Sequence, residues 1–312
     1  MKTVRFHDFG DPEVLRYEDV EQPVPGAGEV LLRVAASGFN AVDAGIRGGY
    51  LQGPFPVTLP HTPGVEVAGT VDALGEGVDQ FKLGDAVIAF LPMTGDGAAA
   101  EYAIAPVETL ALAPTKIPLA DAAALPMIGL TAWQALFDDA GLKAGQRVLI
   151  NGAGGGVGAY AVQLAKGAGA YVIASASPRS SERVRSAGAN EVIDHTTSEV
   201  TLTEPVDVLL NLAPITPEEL VTLAAHVKSG GVVVNSVPTI PTPVDEDRGL
   251  RAAGVFVRND AKQLAHLVDL VDRGDLQVHV TERVPLNELA ALHARAEAGA
   301  VSGKAIVIPV AA

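Results

Sequence analysis

A glycine-rich turn between an apolar strand and a helix is the part of the sequence best suited to chemistry. Residues 148–158 read VLINGAGGGVG, and the pattern Ala153-x-Gly155-x-x-Gly158 fits a dinucleotide fingerprint with alanine in place of the first glycine. Glycine lets the backbone approach a pyrophosphate closely, and the N–H groups at a helix start face the anion. A flexible linker is the alternative, but the flanking strand and the helical spacing of 161–166 argue against it. The sequence therefore predicts a phosphate-binding turn, formed by Gly155, Gly156, Val157 and Gly158.

The segment after the second predicted strand indicates which nucleotide is bound. An NAD site usually has a carboxylate about 20 residues past the glycines. Residues 174–179 read ASASPR, which contains no carboxylate but offers Ser175, Ser177 and Arg179. Arginine suits a phosphate because its forked N–H donors match the oxygens and its charge persists at working pH. We predict NADPH as the cofactor; the alternative is that Ser177 only caps a helix and Arg179 is a solvated surface charge.

Strands and helices alternate in the second half of the chain and carry these groups. Strands are predicted at 147–151, 170–175, 191–194, 206–212, 231–237 and 255–258, and helices at 158–167, 179–187, 217–227 and 261–272. Several strands lack polar alternation, as expected for parallel strands covered on both faces. The pattern predicts an α/β fold with a Rossmann doubly wound parallel sheet, which binds its cofactor at the carboxyl ends of the strands.

The first part of the chain is rich in short strands separated by Pro and Gly turns. Strands are predicted at 3–6, 29–36, 65–74 and 86–90, and residues 48–63 carry so much Gly and Pro that they should form an irregular loop. Tail strands at 277–283 and 304–309 should return to this barrel-like domain. We expect one domain from 1–121 and 274–312, and a nucleotide-binding domain from 122–273.

Composition excludes several classes of protein. The 312 residues contain no cysteine and have a net charge of −15. Disulfides, thiolate nucleophiles and zinc sites that use sulfur are therefore excluded, and redox chemistry must come from a cofactor. The negative charge argues against binding nucleic acid through a broad basic face. Because no apolar run approaches the roughly 20 residues of a membrane span, we expect no membrane association and a cytoplasmic location.

Motifs along nearly the whole chain resemble those of the medium-chain dehydrogenase/reductase superfamily, and most closely those of its zinc-independent quinone oxidoreductase branch. The matching segments are GFNAVD at 38–43 with IR at 46–47, PGVEVAG at 63–69, VxxFKxGD at 78–85, ALPxxGLTAW at 124–133, AVQLAK at 161–166 and GKAIV at 303–307. The resemblance implies a GroES-like β-barrel-type catalytic domain beside the Rossmann domain. It also implies a homodimer formed by edge-to-edge extension of the Rossmann sheets.

The same resemblance implies that no catalytic metal is present. The positions that align with the zinc ligands of metal-dependent relatives hold Asn40, Val65 and Met127, and His61 has no second ligand at suitable spacing. The chemistry that remains is hydride transfer from NADPH to an acceptor made electron-poor by conjugation, such as a quinone, enone or enal. An enoyl reductase acting on a carrier-bound or polyketide intermediate and a non-enzymatic NADPH-binding protein are the alternatives.

The resemblance also nominates catalytic residues. Asn40 is the first candidate for the donor that binds the oxygen gaining negative charge, Tyr50 is the second, and Asp43 is the third. Tyr50 lies one residue nearer to Asn40 than in the family pattern. The alternatives are that Asn40 holds a loop, that Tyr50 is half-buried packing, and that Asp43 is structural with Arg47 as its partner.

Further cofactor contacts follow from the family pattern. Thr131 should contact the nicotinamide, although a helix threonine often bonds to its own chain instead. The strand ends should wall the nicotinamide pocket through Asn211, Leu212, Asn235 and Ser236. Lys304 is expected to lie near the cofactor, with a surface charge as the alternative.

Overall fold

The computed structural model describes residues 1–197 and 200–309, and these form two compact units. The first unit comprises Met1–Met127, Asn259–Gly274 and the described residues from Val278 onward. The second unit comprises Ile128–Arg258 and Asp275–Gln277. Each unit has its own sheet.

The strands, in chain order, are β1 Lys2–Phe6, β2 Leu15–Asp19, β3 Glu29–Gly38, β4 Glu66–Leu74, β5 Ala86–Phe90, β6 Tyr102–Pro106, β7 Leu110–Leu112, β8 Arg147–Asn151, β9 Tyr171–Ala176, β10 Glu191–Asp194, β11 Val206–Asn211, β12 Val227–Asn235, β13 Arg251–Gly254, β14 Glu282–Pro285 and β15 Ala305–Ile308. The α-helices are α1 Ala41–Arg47, α2 Leu119–Ala122, α3 Pro126–Trp133, α4 Gly156–Gly167, α5 Pro178–Ser186, α6 Pro217–Ala224, α7 Ala261–Arg273 and α8 Leu289–Glu297. A π-helical segment, Gln134–Asp139, continues α3.

The second unit is built on a parallel sheet of six strands in the order β10-β9-β8-β11-β12-β13. The central strands are buried on both faces, with Leu149, Ile173, Leu209 and Val233 in one apolar core. The strand order reverses between β8 and β11, and in such sheets ligands bind at the carboxyl ends of the strands beside that reversal. The predicted doubly wound Rossmann sheet is confirmed.

The last strand of this sheet lies earlier than predicted. The sequence indicated a strand at 255–258, whereas β13 is Arg251–Gly254. Gly254 pairs with Asn235, the final residue of β12, and the N–H of Val255 bonds to the Asn235 carbonyl at 2.9 Å. Strand length is therefore set by the end of the partner strand, and the apolar run at 255–257 has no further ladder to join.

The first unit contains a mostly antiparallel sheet in the order β14-β15-β3-β4-β5-β7, with β6 also paired to β3 and a separate ladder of β1 with β2. Inward residues such as Val30, Leu32, Val67 and Val87 form its core. The GroES-like fold is confirmed, and residues 48–63 form the irregular loop that was expected. Strands β2, β6 and β7 were missed because they are short and only partly alternating.

Helix α7 belongs to the first unit, whereas the predicted boundary at 273 assigned it to the second domain. Asp272 accepts hydrogen bonds from the backbone N–H groups of Thr115 at 2.7 Å and Lys116 at 3.0 Å. The tail strand predicted at 277–283 lies later and is shorter, because only Glu282–Pro285 pairs with β15.

Candidate active site

The glycine turn after β8 has the geometry expected of a dinucleotide-binding turn. Gly152 adopts a φ of +85°, and Gly155 precedes the first residue of α4, Gly156. A Cβ at residue 158 would lie 2.6 Å from the Cα of Ala153, so only glycine lets the helix pack this closely. The first-turn N–H groups of α4 have no acceptor within the helix. The turn therefore fits the pyrophosphate of a nicotinamide dinucleotide.

Hydroxyl and guanidinium groups follow the end of β9. Ser175 is fully buried, and its Oγ has no hydrogen-bond partner among the described residues. Ser177 is the N-cap residue of α5, but its Oγ accepts no bond from a backbone N–H of the helix; it lies 3.4 Å from the Oγ of Ser180. Arg179 is exposed on the first turn. The capping alternative for Ser177 is thus not what the structure shows, and both side chains are available to a ligand.

Arg183, on the next turn of α5, holds the glycine turn directly. Its Nη2 donates to the carbonyl oxygen of Gly154 at 2.7 Å. Its contact shows that one arginine of this helix supports the turn, while Arg179 remains exposed.

Three asparagines form a hydrogen-bonded row across the carboxyl ends of adjacent strands, which we call the asparagine ladder: Asn151, Asn211 and Asn235. Asn151 and Asn235 are both in register with Asn211. The Nδ2 of Asn151 donates to the Oδ1 of Asn211 at 2.8 Å, and the Nδ2 of Asn211 donates to the Oδ1 of Asn235 at 2.9 Å. These amides satisfy one another, so they hold the strand ends in register.

The ladder also reaches the loops that follow the strands. Asn211 donates to the carbonyl of Ala213 at 3.1 Å, and Asn235 donates to that of Ile240 at 2.7 Å. Leu212 and Ser236, which were expected to line the nicotinamide pocket, are half-buried next to the ladder. The backbone N–H of each bonds back to the carbonyl of a ladder residue. Thr131 is buried within α3 of the same unit.

In the first unit, Asn40 lies in a buried polar cluster with Glu66 and Lys304. The Nδ2 of Asn40 donates to the Oε1 of Glu66 at 2.8 Å, and the Nζ of Lys304 donates to the Oδ1 of Asn40 at 2.7 Å. Lys304 also forms an ion pair with Glu66 and donates to the Phe39 carbonyl at 2.9 Å. All three N–H donors of Lys304 are thus used inside this unit, and none is left for a cofactor.

Asp43 fixes the backbone around this cluster. Its carboxylate accepts from the N–H of Asn40 at 2.8 Å, of Gly64 at 3.0 Å and of Val65 at 3.3 Å. Burial raises the pKa of Asp43 to about 6, against the lowering effect of these backbone bonds. The alternative to a catalytic role named Arg47 as the partner of Asp43, and this partner is wrong because Arg47 forms its ion pair with Glu297. Asp43 is the third residue of α1; its carboxylate caps the start of the helix and ties it to the chain before β4.

Tyr50 lies in the turn after α1 and is 82% exposed. The alternative of half-buried packing is therefore incorrect. Its phenol faces solvent in this structure, and so it is free to meet a ligand.

The comparisons with known proteins agree with this architecture. The alcohol dehydrogenase GroES-like domain model matches residues 26–115, and the zinc-binding dehydrogenase model matches residues 187–307. The chain is 33% identical to the chloroplast envelope quinone oxidoreductase homolog of Arabidopsis thaliana, over 99% of this chain and 98% of that protein. The chain belongs to the quinone oxidoreductase branch of the medium-chain dehydrogenase/reductase superfamily. This confirms the resemblance found in the sequence.

Two solved structures extend the match. The quinone oxidoreductase from Coxiella burnetii superimposes with a TM-score of 0.89 at 30% identity, over 99% of each chain. The mycobacterial Rv1454c, solved in complex with NADPH, gives a TM-score of 0.85 at 28% identity, over 99% of this chain and all of that one. As a member of the branch, the protein is a nicotinamide-dependent oxidoreductase.

Two properties of this family member concern metals and membranes. No cluster of three or more histidine, aspartate or glutamate side chains suited to a metal ion occurs in residues 1–197 and 200–309. His61 is buried, with its Nδ1 3.7 Å from Asp96, and burial lowers its pKa. None of the helices in the described part of the chain has the length and apolar character to cross a bilayer.

Sequence reasoning missed Glu66 and Asn151 as site residues. Glu66 stood in the family motif at 63–69, and a carboxylate in a run of apolar residues is a signal for a buried functional group. Asn151 ends the strand before the glycines, just as Asn211 and Asn235 end theirs. Asparagine at the same place on three strands was a signal available in the sequence.

Proposed function

We propose that this oxidoreductase transfers hydride from NADPH to a quinone or an α,β-unsaturated carbonyl compound without a metal ion. The observation that supports this most is the state of the Asn40 amide. One N–H of its Nδ2 bonds to Glu66, and the other has no partner among the described residues. A fixed, uncommitted N–H donor suits an acceptor whose oxygen gains negative charge.

The proposed electron flow is simple. Bound NADPH supplies a hydride, which carries two electrons to the β-carbon of an enone or to the ring of a quinone. The acceptor oxygen becomes an enolate or hydroquinone anion, and Asn40 donates a hydrogen bond to it. A proton then completes the reduction; Tyr50 is the proposed donor for enolates, and solvent is the donor for hydroquinone anions. Asp43 contributes by holding the Asn40 backbone rather than by contacting the acceptor.

The choice of NADPH over NADH is proposed from the end of β9. Residues 174–179 contain no carboxylate, no backbone N–H of α5 bonds to the Ser177 hydroxyl, and Arg179 is exposed. A 2′-phosphate finds charge-assisted donors there. The NADPH complex of the similar mycobacterial protein is consistent with this choice.

The metal-free mechanism is proposed from residue types. Neutral Asn40, Val65 and Met127 stand where zinc ligands would be required, and the Oδ1 of Asn40 already accepts a hydrogen bond from Lys304. Stoichiometric zinc by elemental analysis, together with activity lost in chelator and restored by zinc, would contradict the proposal. We expect full activity after exhaustive chelation.

The test of the function is an NADPH-oxidation assay against a panel of quinones, enones and enals. We expect turnover of at least one class, with NADPH preferred to NADH. Turnover confined to carrier-bound enoyl thioesters would favour the enoyl reductase alternative. Tight NADPH binding with no turnover would favour a non-enzymatic NADPH-binding role.

Assembly and location are also proposals. A homodimer by edge-to-edge extension is consistent with β13, which is an edge strand of the second unit's sheet. The net charge of −15 disfavours nucleic acid as a partner. A cytoplasmic location is proposed from the sequence.

A further inference from the structure

The ion pair of Glu66 and Lys304 is buried next to Asn40. Glu66 is fully buried and Lys304 is 4% exposed. The Oε1 of Glu66 accepts from both Asn40 and Lys304, and its Oε2 accepts from the N–H of Met127 at 2.7 Å. Taking two charges out of water costs several kcal/mol per ion, and a pair of apolar residues often serves stability as well. The pair therefore calls for a role beyond folding.

The pair fixes the orientation of the Asn40 amide. The carbonyl oxygen of the amide faces the Lys304 ammonium, and its nitrogen faces the Glu66 carboxylate. A flipped amide would set N–H groups against the ammonium and an oxygen against the carboxylate. Only one orientation is satisfied, and in it the second N–H of Nδ2 is left for a ligand. The Lys304 contact also polarises the amide and strengthens its donor character.

We propose that Glu66 and Lys304 are positioning residues that set the electrostatic potential at the oxygen bound by Asn40. Lys304 favours negative charge on that oxygen, Glu66 opposes it, and the pair together is neutral. The inference rests on the proposed role of Asn40 as the donor to an acceptor oxygen. It adds two residues to the reaction that touch neither acceptor nor cofactor and act through Asn40.

The two charges should then have opposite effects on the reaction. Both lie one hydrogen bond from the Asn40 amide, so each is a few ångströms from an oxygen held by that amide. At that separation, with the effective dielectric of a partly buried site, one uncompensated charge changes oxyanion stability about tenfold to a hundredfold. Removing Lys304 leaves a negative charge behind Asn40, and neutralising Glu66 leaves a positive one.

The experiment removes the two charges singly and together in the whole chain. The variants are Glu66→Gln, Lys304→Met, the double variant, and Lys304→Arg as the charge-conserving control. Enone kcat and the dissociation constant of a nitrophenolate, an anion that mimics the charged oxygen, are measured in each. Thermal unfolding and NADPH affinity report on the fold.

We expect Lys304→Met to lower kcat and phenolate affinity about tenfold or more, and Glu66→Gln to tighten phenolate binding about tenfold. The double variant should lie between them, and Lys304→Arg should recover most of the loss. Both single variants should unfold at lower temperature than the wild type, because each leaves a buried group without its partner. The two single variants should thus change phenolate affinity in opposite directions while both lower the unfolding temperature. A purely structural role would lower both quantities in both variants.

Equal losses of phenolate affinity in both single variants, with the double variant no better, would overturn the proposal. If Lys304→Met does not fold, Glu66→Gln decides alone, since it must bind phenolate more tightly than the wild type. Failure of the proposed function can be distinguished from failure of this inference about Glu66 and Lys304. A wild type that reduces no quinone, enone or enal ends the reductase proposal, whereas the order of phenolate affinities still tests the potential at Asn40.

Discussion

The two units hold their buried polar groups by different means. In the second unit, the asparagine ladder is neutral, and its members lie side by side in register on β8, β11 and β12. In the first unit, the cluster of Asn40, Glu66 and Lys304 contains two opposite charges drawn from distant parts of the chain. A neutral ladder keeps strand ends in place without changing the charge around an anionic ligand. A compensated pair lets the protein set the potential where charge develops during a reaction.

The largest effect is expected from breaking the ladder at its centre. Asn211→Leu leaves the buried Nδ2 of Asn151 without its acceptor and the carbonyl of Ala213 without its side-chain donor. The Oδ1 of Asn235 loses one donor and keeps its bond from the N–H of Val237. We expect a loss of about 2 to 5 kcal/mol in the free energy of unfolding, measured by urea denaturation, because each buried unpaired group costs roughly 1 to 3 kcal/mol. Asn190→Ala, at an exposed asparagine that accepts one bond from the N–H of Val172, is the control. Wild-type stability in Asn211→Leu would show that the ladder contributes nothing.

The pH dependence of the free energy of unfolding tests Asp43, which lies beside the charged cluster of the first unit. The pKa of Asp43 is raised to about 6 in the folded protein, from an ordinary value of 3.8. The folded state therefore binds the proton more tightly, and the contribution of this group to stability falls as pH rises from about 4 to about 6. Two pKa units correspond to roughly 3 kcal/mol. We expect Asp43→Asn to lose this part of the pH dependence between pH 4 and 7.

An unchanged pH dependence in Asp43→Asn would mean that Asp43 is not the group that titrates. Asp8→Asn, at an exposed aspartate of the same unit, serves as the matched control. It should leave the curve of stability against pH as it is in the wild type.

The third test separates protein from solvent as the proton source. Tyr50→Phe should leave quinone reduction nearly unchanged, because a hydroquinone anion takes its proton from water. The more basic enolate gains more from a placed donor, so enone kcat should fall on the order of 10²-fold. Tyr17→Phe, also exposed in the first unit, is the control. An equal fall for both acceptors would make Tyr50 a binding residue, and no fall would remove it from the site.

The smallest effect is expected at the exposed edge of the nucleotide site. Arg179→Ala should weaken NADPH binding by roughly 1.5 to 3 kcal/mol and leave NADH binding nearly unchanged, because only NADPH carries the 2′-phosphate. Arg185→Ala, on the same helix with its Nη1 bonded to Ser181, should affect neither. Equal losses for both nucleotides would show that Arg179 supports the fold instead of the phosphate.

The sequence predicted the nucleotide unit well because its signals are local. Strands β8 and β10 have the predicted bounds, since compact strand segments are framed by turn residues. The helix predicted from residue 217 begins there as α6, and the hydroxyl of its N-cap Thr216 accepts from the N–H of Glu219 at 3.2 Å. By contrast, β13 depends on where its partner β12 ends, which no local pattern records.

The polar cluster of the first unit was only partly predictable. Asn40 was nominated as a donor, but its partners lie 26 and 264 residues away along the chain. Lys304 was expected near the cofactor, but its ammonium donates to Asn40, Glu66 and the Phe39 carbonyl. Residues that far apart meet only through strand pairing, which is decided by the whole sheet. The sequence thus indicated that Asn40 and Lys304 are functional residues, but it did not predict that they contact each other and Glu66.

The long separation of Glu66 and Lys304 along the chain has a consequence for biosynthesis. Glu66 and Lys304 are separated by 238 residues, so the carboxylate leaves the ribosome long before its cation does. Until β15 joins β3, a first unit that closes must bury Glu66 without its counter-charge, which is strongly unfavourable. The cluster is thus completed only after the chain has been synthesised past residue 304. A chain that stops short of residue 304 has no cation for the buried carboxylate of Glu66.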